Sequence, residues 1–101
     1  MSENKNLMDM FFRKAPIAVI DSLVDGKKTI TEIARIGYLT YSHTNKLIHE
    51  LNELGIINLE KYGRMVYVSL TEEGYEIAKL VRKIEKILNN LKKENKNENG
   101  F

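Results

Sequence analysis

Residues 40 to 49 read TYSHTNKLIH, a stretch in which hydrogen-bonding side chains far outnumber apolar ones. Thr40, Tyr41, Ser42, His43, Asn45, Lys46 and His49 bring hydroxyl, imidazole, amide and ammonium groups into ten positions. That mixture suits recognition rather than bond-making. An asparagine amide pairs bidentately with adenine, a serine hydroxyl bonds to a base or a phosphate, and a lysine reaches guanine or phosphate. The chemistry of an enzyme is not written beside it. There is no cysteine, no glycine-rich phosphate loop, no Ser-His-Asp set and no isolated carboxylate pair, so the residues predict no enzyme. His43 and His49 stand six apart, about 240° round a helix, and cannot share one metal ion from it. No metal site and no cofactor are implied.

Such a cluster works only if something holds it rigidly. Leu47, Ile48, Leu51 and Leu54, with Thr44, recur at helical spacing just behind it and predict one buried face, ended by Gly55. Thr40 is the N-cap this helix needs. Upstream, TITEIARIG carries Thr29 and Glu32 at capping-box spacing, then Ile33, Ala34 and Ile36, with Gly37 as the left-handed residue expected to close the helix. Two capped helices joined by so few residues must cross steeply, as in a helix-turn-helix. A helix from Ala15 or Pro16 to Val24 precedes them, with Ile17, Ile20, Leu23 and Val24 on one stripe and Asp25-Gly26 as its end. LMDMFFRK before it reads as a helical arm.

After Gly55 the period changes. INLEKYGRMVYVSL is rich in β-branched and aromatic residues, and Gly63-Arg64 as a two-residue turn pairs Tyr62 with Met65 and Leu59 with Val68. This hairpin puts Lys61, Tyr62 and Arg64 at or beside its tip. A long helix follows, capped by Thr71, acidic at its start and basic later, which suits the helix dipole. Ile77, Val81, Ile84, Leu88 and Leu91 step by 4, 3, 4 and 3 along it, the spacing of a coiled-coil seam, and Leu80 and Ile87 broaden the stripe. One small core can cover only the first turns, so the rest calls for a second copy of the chain or for the N-terminal arm folded over it.

LTYSHTNKLIHELNELGII and GRMVYVSLTEEGYEIAKLV resemble the MarR-type and related archaeal winged-helix transcription regulators. The matching positions are Leu51 with Gly55, Ile56 and Ile57, then Arg64, then Leu70-Thr71 with Gly74; the similarity covers about residues 28 to 81. The resemblance implies a mainly α fold with a small β-hairpin, a winged helix-turn-helix followed by a long C-terminal helix. It implies double-stranded DNA as partner, the second helix of the motif in the major groove and Arg64 of the wing at the minor groove. The wing has no Asp-x-Arg pair, and the long N-terminal helices of the MarR type are missing. The chain is more similar to small archaeal members that dimerise through a C-terminal coiled coil, and no small-molecule effector is implied.

The whole chain bounds these readings. At 101 residues it holds one core, and 43% hydrophobic with 30% charged residues excludes wholesale disorder. No apolar run reaches membrane-spanning length, no secretory signal is legible, and a cytoplasmic protein is expected. The expected organisation is a partly helical arm over 1–14, the winged domain over 15–76, a dimerisation helix over 77–93 and a disordered tail over 94–101. Net charge is only +2. Between Thr31 and Leu70, Arg35, Lys46, Lys61 and Arg64 are balanced by Glu32, Glu50, Glu53 and Glu60. A neutral module must rely on the placement of its charges and on being doubled in a homodimer. Lys27, Lys28 and Arg35 are candidates for further backbone contacts. Three functions stay open: a homodimeric sequence-specific repressor, a winged-helix module that binds another protein, and an architectural DNA-binding protein of low specificity.

Overall fold

Thr29 and Glu32 form the predicted capping box. The Thr29 N–H donates to the Glu32 carboxylate at 2.9 Å, and the Glu32 N–H donates to the Thr29 hydroxyl at 3.2 Å. Because the Thr29 N–H bonds the charged form, the Glu32 carboxyl lies below the ordinary glutamate value. The structure, a computed structural model, describes residues 13–99, with side chains through residue 92. Its elements are α1 (Lys14–Ser22), β1 (Lys28–Thr29), α2 (Ile30–Gly37), α3 (Tyr41–Glu53), β2 (Ile57–Tyr62), β3 (Met65–Leu70) and α4 (Glu72–Asn99). Residues 1–12 of the expected arm lie outside the described residues.

The helices start and stop close to where the sequence places them, with two differences. α1 begins at Lys14 and gives way to turn at Leu23, before Val24. α2 is closed not by Gly37 but by Tyr38, which takes the left-handed conformation at φ 56°. Its N–H and that of Leu39 donate back to the carbonyls of Arg35 and Ala34, the bonding that a left-handed C-cap allows. Gly37 serves a different need. A Cβ there would press within 3.3 Å of the Leu39 side chain, which folds back over the turn.

The hairpin has the predicted register, Leu59 opposite Val68 and Tyr62 opposite Met65. The sheet has a third strand that the sequence did not announce. β1 is two residues long and pairs antiparallel with β3, Lys28 opposite Val68 and Thr29 opposite Tyr67, giving the order β1-β3-β2. Two residues carry no periodicity of their own, so only the pairing defines them.

All of these elements close on one core. Val19 and Ile20 of α1, with Leu23 just beyond it, meet Ile33 of α2, Leu47, Ile48 and Leu51 of α3, Ile57, Val68 and Leu70 of the sheet, and Ala78 of α4. Thr71 locks α4 to the end of α3: its hydroxyl accepts from the Gly74 N–H at 3.0 Å and lies 2.7 Å from the Gly55 carbonyl, to which it donates. Gly74 must be glycine here, because a Cβ would collide with the Ile56 carbonyl oxygen. Farther along α4, Arg82 Nε donates to Asp21 of α1 at 2.8 Å.

α4 is 28 residues long, about 42 Å of continuous helix. It runs unbroken through the expected boundary at 76 and 77 and stays helical to Asn99, where a disordered tail was expected from residue 94. No proline or glycine interrupts it between Gly74 and Asn99, and its many Lys and Glu residues are good helix formers. Of the five expected seam residues, Val81 is buried by the domain itself and Ile77 is half-buried against the core. The bare stripe therefore begins later, with Leu80, Ile84, Ile87, Leu88 and Leu91, each between 47% and 61% exposed. Among the described residues no helix is long and apolar enough to cross a membrane.

Candidate nucleic-acid interface

α3 divides its circumference cleanly. Thr44, Leu47, Ile48 and Leu51 are buried, at spacings of 3, 1 and 3 that keep them on one side of the helix, whereas Leu54, expected on the same face, is the C-cap residue beyond the last turn and is exposed. Tyr41, Ser42, His43, Lys46 and His49 are exposed, and Asn45 is half-buried at the margin. The start of the helix is fixed twice. The Thr40 hydroxyl accepts from the His43 N–H at 3.1 Å, and the Thr44 hydroxyl donates to the Thr40 carbonyl at 2.8 Å. Thr40 thus keeps only its own O–H for an outside acceptor. Rigidity and a polar face are both present at the same end of the helix.

His43 and Lys46 also border a shallow hollow against the start of α1, lined by Arg13, Ala15, Pro16, Leu47 and Glu50. Arg13, the N-cap residue of α1, makes no side-chain capping bond. This places a second cation, beside Lys46, near the first turns of α3; no local pattern announces it, since thirty residues separate Arg13 from His43.

The wing places its candidates on different sides. Gly63 adopts φ 58° at the first position of the turn, as a two-residue hairpin loop requires, and Arg64 beside it is exposed. Lys61 lies opposite Val66 and Tyr62 opposite Met65, so the two neighbours point to opposite faces of the sheet. Tyr62 meets Tyr67 edge-on, with ring centroids 5.9 Å apart and planes at 66°. Sequence reading missed Tyr67 and this pairing. The signal was there in the register: Tyr67 is two residues beyond Met65, hence diagonal to Tyr62 on the same face. Of the candidate backbone contacts, Lys27 and Arg35 are exposed, whereas Lys28 Nζ is held by Asp25 at 2.7 Å. That ammonium keeps the Asp25 carboxyl below its ordinary value. Among the described residues no group of His, Cys, Asp and Glu is placed to hold a metal ion.

Solved structures share this arrangement. A mutant of ZitR from Lactococcus lactis superposes with a TM-score of 0.79 at 21% identity, over 86% of this chain and 62% of that one, so the chain spans less than two thirds of its length. AF1382 from Archaeoglobus fulgidus gives 0.73 at 20% identity, over 80% of this chain and 94% of that one. The MarR family transcriptional regulator SPO1453 from Silicibacter pomeroyi gives 0.71 at 22% identity, over 89% and 67%. No curated protein matches the sequence. The model of the winged helix-turn-helix family matches residues 16–94, from the first turn of α1 into the distal part of α4. With the capped helix pair, the hairpin wing and the long closing helix all inside that match, the chain belongs to the winged helix-turn-helix family.

Proposed function

We propose that the chain is a sequence-specific double-stranded DNA-binding transcription regulator of the cytoplasm, acting as a homodimer and repressing by occupying promoter DNA. The observation that carries this reading is the division of α3, sealed on one side by Ile48 and Leu51 and polar at its exposed N-terminal half. Base readout needs a helix whose placement does not drift, and a buried face supplies that. In this reading Thr40, Tyr41, Ser42, His43, Asn45, Lys46 and His49 face the major groove, and Lys61 and Tyr62 meet phosphates. Arg64 enters the minor groove, where an A·T-rich step deepens the negative potential. Homodimerisation rests on the bare stripe of α4, with Ile84, Leu88 and Leu91 at its centre. A second copy covers that stripe and doubles the phosphate contacts of a module with little net charge.

A gel shift with genomic fragments, the chain's own upstream region among them, at two salt concentrations tests the proposal. The expected result is retention of a few fragments, weakened by salt. Uniform retention of all fragments would make the protein architectural, and no retention at low salt would make it a protein-binding module. Arg64→Ala is expected to weaken duplex binding about tenfold while leaving the melting temperature unchanged. Unaltered affinity would remove the wing tip from the mechanism.

A further inference from the structure

The outer face of the wing holds a cation, Lys27, that the function above does not use. Lys27 places its Nζ 4.9 Å from the centroid of the Tyr62 ring and 5.4 Å from that of Tyr67. Both distances fall within the roughly 6 Å range of a cation–π contact. The two rings meet edge to face, so one ammonium rests over both. Its neighbour Lys28 is half-buried and paired with Asp25; Lys27 is exposed, and among the described residues no carboxylate forms a salt bridge with it. An aromatic quadrupole attracts a cation without neutralising it. The Lys27 ammonium is therefore left without a carboxylate partner among the described residues, with N–H groups that point away from the rings.

Position gives this charge a use. Tyr62 is the residue immediately before the Gly63-Arg64 tip, so the ring that carries Lys27 sits within about 7 Å of the tip along the strand. A wing whose tip enters a minor groove has a phosphate strand on either side of it. Resting on the DNA-binding reading, we propose that Lys27 is a phosphate-binding residue, mounted on Tyr62 and Tyr67 so that its ammonium meets the DNA backbone beside the groove that Arg64 enters. A lysine on a flexible stem loses considerable freedom when it binds, and the two rings restrict that freedom in advance. A point charge is also the right tool for a phosphate, which needs no directional pairing with a base edge.

The test is the salt dependence of duplex binding by Lys27→Met and Lys27→Arg beside the unaltered chain, with thermal melting of all three. Methionine keeps the apolar stem and removes the charge; arginine keeps the charge and still stacks on the rings. Lys27→Met is expected to lower the slope of log K against log salt by about 0.9 for each bound copy. Its affinity deficit then shrinks about threefold per copy between 50 and 200 mM salt. Lys27→Arg is expected to hold the slope. A slope unchanged in Lys27→Met, or lowered equally in both variants, overturns the proposal while leaving DNA binding intact. Failure of the unaltered chain to bind any duplex at 50 mM salt overturns both. A loss of affinity in Lys27→Met that is the same at every salt concentration also overturns it, since it would mean that Lys27 only props the wing.

Discussion

Leu51 on α3 and Leu88 on α4 are the same side chain on the apolar stripes of two amphipathic helices, yet Leu51 is fully buried and Leu88 is 57% exposed. The difference lies in what surrounds each helix. α3 is short enough to lie wholly inside the domain, with α1, α2 and β2 around it, and every large apolar residue on its inward face finds a partner. Among the described residues the last bond of α4 to α1 is Arg82 to Asp21, and the later stripe, Ile84, Ile87, Leu88 and Leu91, is exposed. One helix spends its apolar face on holding a polar face still. The other leaves its later apolar face exposed.

The comparison breaks most severely at α4. Replacing Ile84 and Leu88 together with glutamate is expected to convert the protein to a monomer, read by sedimentation. Duplex affinity should fall by about 100-fold or more, the avidity supplied by linking two reading heads. A dimer that survives both charges would place the interface elsewhere. A matched pair of truncations sharpens the contrast. Leu51→Ala is expected to cost about 2–5 kcal/mol of unfolding free energy, because it opens a cavity in a closed core. Leu88→Ala should change stability by about 0.5 kcal/mol or less; both truncations are made in an Ile84→Glu background that keeps Leu88 and are compared by urea unfolding. Equal costs at the two sites would erase the distinction. A modest effect belongs to the cap: Thr40→Ala removes the bond to the His43 N–H and should cost about 1 kcal/mol. It should also weaken duplex binding, measured by the same gel shift, since the first turn of α3 loses its anchor.

What the sequence made legible follows the same division between local and distant causes. The Thr29 capping box, the Thr40 and Thr71 caps and the hairpin register are decided within a few residues, and each is found in the structure. Gly37 misled because a glycine after a helix usually marks the left-handed position, whereas here it makes room for Leu39 and Tyr38 takes the turn. β1 was invisible because a two-residue strand exists only through its pairing with β3. Lys27 over Tyr62 and Tyr67, the salt bridge of Arg82 with Asp21, and Arg13 beside His43 all join residues far apart in the chain. No local pattern encodes those meetings. The polar surface of α3 was legible as a face because burial of its opposite side is periodic.

The central claim is that two copies, joined along α4, present two α3 helices to one duplex. Hydroxyl-radical footprinting on a fragment retained in the gel shift, combined with titration of chain against duplex, measures it most directly. The account predicts two chains per duplex and two protected half-sites separated by one helical turn or a multiple of it. A single protected site carrying one chain, or no protection at any ratio, would contradict it.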